Sequence, residues 1–300
     1  MDELQHSAAG AAAPAASAVI RGGRPDDAAA CGAICYEAFR AITAQHGFPP
    51  DFPSVAAAVG AAGHFLSHPL LRSFVADVDG RVVGSNFYWS TCSIGGVGPI
   101  TVDPAVQNGS IGRRLMEAVL QQSRADGADG VRLVQAAYHS RSLSLYAKLG
   151  FDAREPLSMI GGEPLRASLP GLPVRPAVEG DVEACTRLYV AIHGFAREAD
   201  LREAIGRGSA MVVERAGRIA GYATAIGFMD HAVGETDEDL QALIAAAPAF
   251  TGPGFLLPTR NTALLRWCLA RGLRVIQPLT LMSMGSYQDP RGAFLPSIIF

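Results

Sequence analysis

Residues 100–116 read ITVDPAVQNGSIGRRLM and residues 140–151 read SRSLSLYAKLGF, and these two stretches decide the fold. In the first, an extended run ends at Val102, and Pro104 removes a ladder donor just beyond it. A polar turn with Gly109 and Gly112 follows, and from Ile111 the apolar residues Leu115, Val119 and Leu120 recur at helical spacing. Such a turn aims successive backbone N–H groups, and the positive end of a helix dipole, at an anion. Glycine lets the ligand approach without a Cβ clash, and a pyrophosphate is the natural guest, although a plain strand-to-helix connection reads the same way. A dinucleotide-binding fold would place a GxGxxG turn directly after the first strand with an acid about 20 residues on, whereas this turn follows several strands. The second stretch predicts an amphipathic helix over Ser140 to Leu149, stopped by Gly150. Between the two, Val131 to Ala136 predicts a buried strand.

Further out, Phe151 to Ile160 is extended, and upstream Asp79-Gly80 joins Phe74–Val78 to Arg81–Tyr88 as a two-residue hairpin. Ser93 to Val102 is glycine-rich and extended. Val19 to Arg21 is a short strand, and Asp26 and Asp27 suit the cap of a helix reaching about Thr43. The segment HGFPPDFPS, residues 46–54, holds three prolines and must be a loop; a second helix then runs to about Ser67. Hairpins mixed with strand–helix–strand units predict an α/β (α+β) mixed sheet covered by helices.

The pattern then repeats. Arg21, Asp27 and Cys31 align with Arg175, Asp181 and Cys185; the hairpin DGRVVG (79–84) aligns with AGRIAG (216–221); and GFDAREPLS (150–158) aligns with GLRVIQPLT (272–280). Three ordered anchors argue for an internal duplication. The expected organisation is a disordered tail over 1–18, a first domain over 19–164, a Pro/Gly-rich linker over 165–173 and a second domain over 174–300. The last apolar run, AFLPSIIF (293–300), is expected to add a strand to one of the sheets.

Composition narrows the function. A net charge of −3, with 49% hydrophobic and 18% charged residues, describes a packed protein without the clustered cations that nucleic-acid binding needs. No apolar run approaches the ~18 residues of a membrane span, and the tail carries Asp2 and Glu3 where a signal peptide has basic residues, so a cytoplasmic protein is expected. The five cysteines show no CxxC pairs and read as small core residues; no metal site is expected. His64 and His68 read as surface residues. A homodimer is compatible with the sequence.

The turn Gln107-Asn108-Gly109-Ser110-Ile111-Gly112-Arg113, followed by a helix ending Leu145-Tyr146-Ala147-Lys148-Leu149-Gly150-Phe151, resembles the signature of the GCN5-related N-acetyltransferase (GNAT) superfamily. The resemblance covers roughly residues 19–162 and implies two tandem acyl-CoA N-acyltransferase-like domains, each a central mixed β-sheet flanked by helices. It implies acetyl-CoA as co-substrate, without a metal, and an amine acceptor in a small molecule, peptide or protein. Carried onto this sequence, Ile100, Thr101 and Val102 would pair with the pantetheine arm as their strand splays. The amides of Gln107, Asn108, Gly109, Ser110, Ile111, Gly112 and Arg113 would hold the pyrophosphate. Tyr146 would protonate the departing thiolate, the proton donor that acyl transfer to an amine requires. The sequence departs from the family pattern at Ser110, which stands in place of the turn's first glycine, and at His139, which stands in place of an asparagine and is assigned to cofactor contact or helix capping.

Ser93 to Val102 lacks the acid that many family members carry there. Candidate bases lie elsewhere: Tyr36, Glu37, His46, Tyr88 and Asp103. Phe48 and Phe52 in the proline-held loop suit an apolar wall over the acceptor, and equally a hydrophobic plug between helices. In the second copy Cys268 replaces Tyr146, and the glycine turn gives way to GETDEDLQALIAAAP (234–248), whose acids would repel a pyrophosphate. That half is expected to be a degenerate domain that braces the first, helps to shape the acceptor pocket or binds a small effector. The rival reading is an inactive acyl-CoA-binding regulatory or scaffold protein.

Overall fold

The computed structural model describes residues 18–107 and 110–299. The tail expected over 1–18 therefore falls, except for Ala18, outside the described residues, as do Asn108 and Gly109. The first half runs β1 (Val19–Gly22), α1 (Ala28–Gln45), α2 (Val55–Ser67), β2 (Leu71–Val78), β3 (Arg81–Trp89), β4 (Ile94–Val97), β5 (Thr101–Val102), α3 (Ile111–Ala125), β6 (Gly130–Ala136), α4 (Ser140–Lys148) and β7 (Asp152–Gly161). The second runs β8 (Val174–Pro176), α5 (Val182–His193), α6 (Glu198–Gly206), β9 (Met211–Arg215), β10 (Arg218–Ala223), β11 (Ala232–Gly234), α7 (Asp237–Ala246), β12 (Phe255–Pro258), α8 (Thr262–Leu269), β13 (Arg274–Gly285) and β14 (Ala293–Leu295).

Local chemistry explains most of these boundaries. The Ser54 side chain accepts from the Ala57 amide at 3.2 Å and caps α2. Asp79 and Gly80 turn the β2–β3 hairpin at φ 51° and 82°, the mirror-image turn that matches strand twist. Ala216 and Gly217 repeat it at φ 51° and 77°. The duplication reaches side-chain detail. Arg21 clasps Asp27 through both terminal nitrogens at 2.8 Å, and Arg175 clasps Asp181 at 2.7 and 2.9 Å. In each case the carboxylate also accepts a backbone amide, from Arg24 or Val178, at 2.8 Å. The arginine holds each carboxyl below its ordinary range, as paired, hydrogen-bonded carboxylates behave.

The sheets do not divide at the linker. The larger one has the order β1-β2-β3-β4-β6-β13-β7-β12, with β5 on β3, and so takes β12 and β13 from the second half. Strand β13 pairs antiparallel with β6 on one side and β7 on the other. Because β7 corresponds to β13 and β6 to β12 in the duplication, the run β6-β13-β7-β12 is its own mirror under exchange of the halves. Each copy inserts its late strand between two strands of the other. The larger sheet is mixed, since β4 runs parallel to β6. The smaller, β14-β11-β10-β9-β8, is antiparallel throughout. A mixed sheet in each half was the expectation; the difference arises because β12, the counterpart of β6, pairs with β7 instead of with β11. The 293–295 strand closes the edge this leaves. Among the described residues no helix is long and apolar enough to cross a membrane.

Candidate active site

The decisive local feature is a break in the larger sheet. Strand β4 pairs with β6 only at Ile94↔Gly130, Gly95↔Val131 and Gly96↔Arg132. Past Gly96 the chain stays on β3 (Gly84↔Val102, Ser85↔Thr101), while β6 continues to Ala136 against β13. A slot opens between them, with Ile100, Thr101 and Val102 on one lip and Leu133 to Ala136 on the other. It lies past the C-terminal end of β4 and along the C-terminal half of β6, two parallel strands joined by a helical crossover, close to where open α/β sheets bind ligands. It belongs to a cavity of about 1430 Å³, room for a long cofactor with an acceptor beside it.

Helix α3 points its N-terminus at this slot. Ser110, Ile111, Gly112 and Arg113 line the cavity; no acid occupies the first turn, and the Ser110 side chain makes no capping hydrogen bond. Those donors are available to an anion. The counterpart in the second half is closed: at α7, Thr236 and Asp239 form a capping box, and Asp239 is fully buried against Arg215 at 2.9 Å. The acids expected to repel a pyrophosphate there thus occupy the helix end themselves.

Ser110 stands at φ 61°, the left-handed region where glycine is at ease. Its hydroxyl makes no capping hydrogen bond. Ser110→Gly is therefore expected to stabilise the fold by up to about 1 kcal/mol, read as a rise of a few degrees in the thermal midpoint. A fall instead would show that the hydroxyl is engaged.

The remaining expected residues gather here too. Gln107 donates through Nε2 to the Val102 carbonyl at 3.2 Å and accepts from Arg141 at 3.0 Å, tying the strand lip to α4 across the mouth. His139 occupies the position before α4 with Nδ1 2.6 Å from Ser142 Oγ. Burial, with Arg141 and His46 nearby, holds its pKa below the ordinary histidine value, so the ring is neutral at pH 7. Its counterpart Asn261 caps α8 through the Leu264 amide at 3.1 Å. Tyr146 lines the cavity while only 6% exposed, its ring edge-on to Phe151 at 6.2 Å. Burial pushes its pKa up to about 12, so the phenol is protonated at neutral pH. Cys268, in its place in the second half, is fully buried in that half's core.

Of the five candidate bases only His46 lines the cavity. Tyr88 is 1% exposed and packs across Gly95, Glu37 pairs with Arg40 on the surface at 2.7 Å, and Asp103 caps a short turn through the Ala105 amide. Tyr36 is off the cavity wall as well. His64 is exposed, as expected, and lines the cavity; His68, also expected on the surface, is mostly buried on the cavity wall. Their rings lie 5.3 Å apart, and His68 Nε2 stands 3.7 Å from Glu203 of the second half. Sequence reasoning missed Asp51, Tyr138, Arg141 and Gln277, and also the wall that the second half supplies: Arg197, Asp200, Glu203, Arg207, Asp230 and His231. Arg197 pairs with Asp200 and Arg207 with Glu203. Ile298 and Ile299 complete this end of the cavity, Ile299 packing among Phe65, Phe87 and Trp89. Among the described residues no group of three His, Cys, Asp or Glu side chains could hold a metal.

The family model described as "Acetyltransferase (GNAT) domain" matches residues 69–153. An IAA acetyltransferase of Azospirillum brasilense is 35% identical over 103 residues, 33% of this chain and 67% of that protein. A structure from Pyrococcus horikoshii superposes with a TM-score of 0.71 at 17% identity, covering 96% of this chain and 98% of that one. A tandem GNAT protein from the clavulanic acid biosynthesis pathway superposes with a TM-score of 0.53 at 13% identity, covering 91% and 100%. The two structural likenesses show the fold.

Proposed function

The chain belongs to the GNAT acetyltransferase family, and from that premise we propose that its first half transfers an acetyl group from acetyl-CoA directly to an amine of a small molecule or peptide. The observation that carries this reading is the slot between β5 and β6, with the acid-free N-terminal end of α3 at its mouth and Tyr146 on its wall. In this reading Ile100, Thr101 and Val102 offer strand-edge backbone groups to the pantetheine amides. The amides of Ser110 to Arg113, with Gln107 and the two turn residues Asn108 and Gly109, hold the pyrophosphate. His139, neutral, contacts the cofactor and supports Ser142 beside Tyr146. Tyr146 gives its proton to sulfur as the C–S bond breaks. Residues 19–164 then form the catalytic domain, 165–173 the linker and 174–300 a degenerate domain whose task is the acceptor wall.

Thiol release from acetyl-CoA with a panel of primary amines, alongside calorimetric titration of coenzyme A, tests the reading. Turnover with at least one amine is expected. Tight coenzyme A binding without turnover on any amine would replace it with the acyl-CoA-binding scaffold.

A further inference from the structure

Resting on the acetyltransferase reading, we propose that Asp51 is the proton acceptor for the amine, held in place by Gln277 from the second half. Asp51 comes from the proline-held loop and lines the same cavity as Tyr146. The Gln277 amide donates to its Oδ1 at 3.2 Å, and the Tyr138 hydroxyl donates to Gln277 Oε1 at 3.0 Å. Tyr138 directly follows the lip of the slot, between Ala136 and His139, and is stacked at 4.3 Å by Phe48 and flanked at 5.2 Å by His46. The loop, strand β13 and the segment that joins β6 to α4 thus converge on one carboxylate in the wall of the cavity that holds the slot.

A structural role does not account for this residue. An asparagine would accept the same hydrogen bond from Gln277 without the cost of burying a charge. Among the described residues no ion pair reaches Asp51; the titratable groups that face it are Cys35 from α1 and Tyr138, with His46 behind Tyr138. Burial moves its pKa above the ordinary carboxylate range, towards the value that a base working near neutral pH needs.

The step balances. The acceptor ammonium gives one proton to Asp51, which passes it to solvent. The freed nitrogen lone pair forms the C–N bond to the acetyl carbon, and the C–S bonding pair leaves on sulfur. Sulfur takes the Tyr146 proton, and the second nitrogen proton restores the tyrosine. The products are the amide, the free thiol and one proton.

Asp51→Asn is expected to lower kcat/KM about 100-fold for a strongly basic alkylamine while coenzyme A titrates as in the parent. The loss should be much smaller for 2,2,2-trifluoroethylamine, whose three fluorines leave it mostly the neutral amine at pH 7. Asp51 must be ionised to act, so the parent rate falls as pH drops through its raised pKa. Gln277→Leu removes a donor that favours the ionised form, so this acid limb moves to higher pH, which a merely structural role would not do. A parent that transfers acetyl, paired with an Asp51→Asn variant that keeps its rate or loses the same factor with both amines, overturns the role alone. A parent that binds coenzyme A and transfers to no amine overturns the acetyltransferase reading and this role with it.

Discussion

Tyr146→Phe is expected to lower the turnover number by about 100-fold with the affinity for coenzyme A nearly unchanged. The substitution removes only the hydroxyl; the ring keeps its edge-on contact with Phe151 and its place in the core under β6. The stability cost should stay near 1 kcal/mol, the worth of one hydrogen bond, so a thermal scan separates a catalytic loss from a folding one. The sign with pH follows from burial. An acid must be protonated to act, and burial pushes this phenol up to about 12, so Tyr146 contributes no alkaline limb to the rate profile below that value. Steady-state thiol release against pH checks both statements. An unchanged rate would remove Tyr146 from the mechanism, and an alkaline limb near neutrality that persists in the variant would identify a different acid.

The second large effect concerns the halves. Residues 1–164 produced alone are expected not to fold, and co-expression with residues 165–300 is expected to restore a soluble complex. Without β13, strands β6 and β7 lose the partner that fills the space between them. Leu279, Leu281 and Met282 of β13 are at most 3% exposed. At roughly 2–5 kcal/mol for each large core side chain lost, three such losses match a whole domain's net stability of about 5–15 kcal/mol, before any ladder hydrogen bond is counted. The ion pair of Arg260 with the buried carboxylate of Glu155, at 2.6 Å, would be lost as well. Circular dichroism and size-exclusion chromatography of the separate and co-expressed halves decide the matter; a folded, monomeric 1–164 fragment would show that the strand exchange is dispensable.

What could be read in advance has a common character: it depends on near neighbours in the chain. The Asp79-Gly80 turn, the helices that begin near Asp27 and at Ile111, and the paired anchors of the duplication are all local patterns, and the structure carries each of them. The clustering of Ile100 to Val102, Ser110 to Arg113, His139 and Tyr146 around one cavity followed from the same strand–turn–helix–strand–helix order. Asp51 left a trace, as the only acid in the loop 46–54, but its partner Gln277 lies 226 residues away. His68 was misplaced because a helix end looks solvated until a second half is packed over it.

By itself, then, the sequence determined the elements, the repeat, and which copy keeps an acid-free helix terminus and a tyrosine. Hydrophobic period, turn chemistry and capping act within a few residues, and they leave the first turn of α3 without acids while α7 caps itself. Only the tertiary structure decided that β13 enters the other half's sheet, that the second half walls part of the cavity, and that Asp51 meets Gln277. Strand pairing is set by backbone hydrogen bonds that any strand of suitable register can make, so the choice of partner comes from packing across the whole chain.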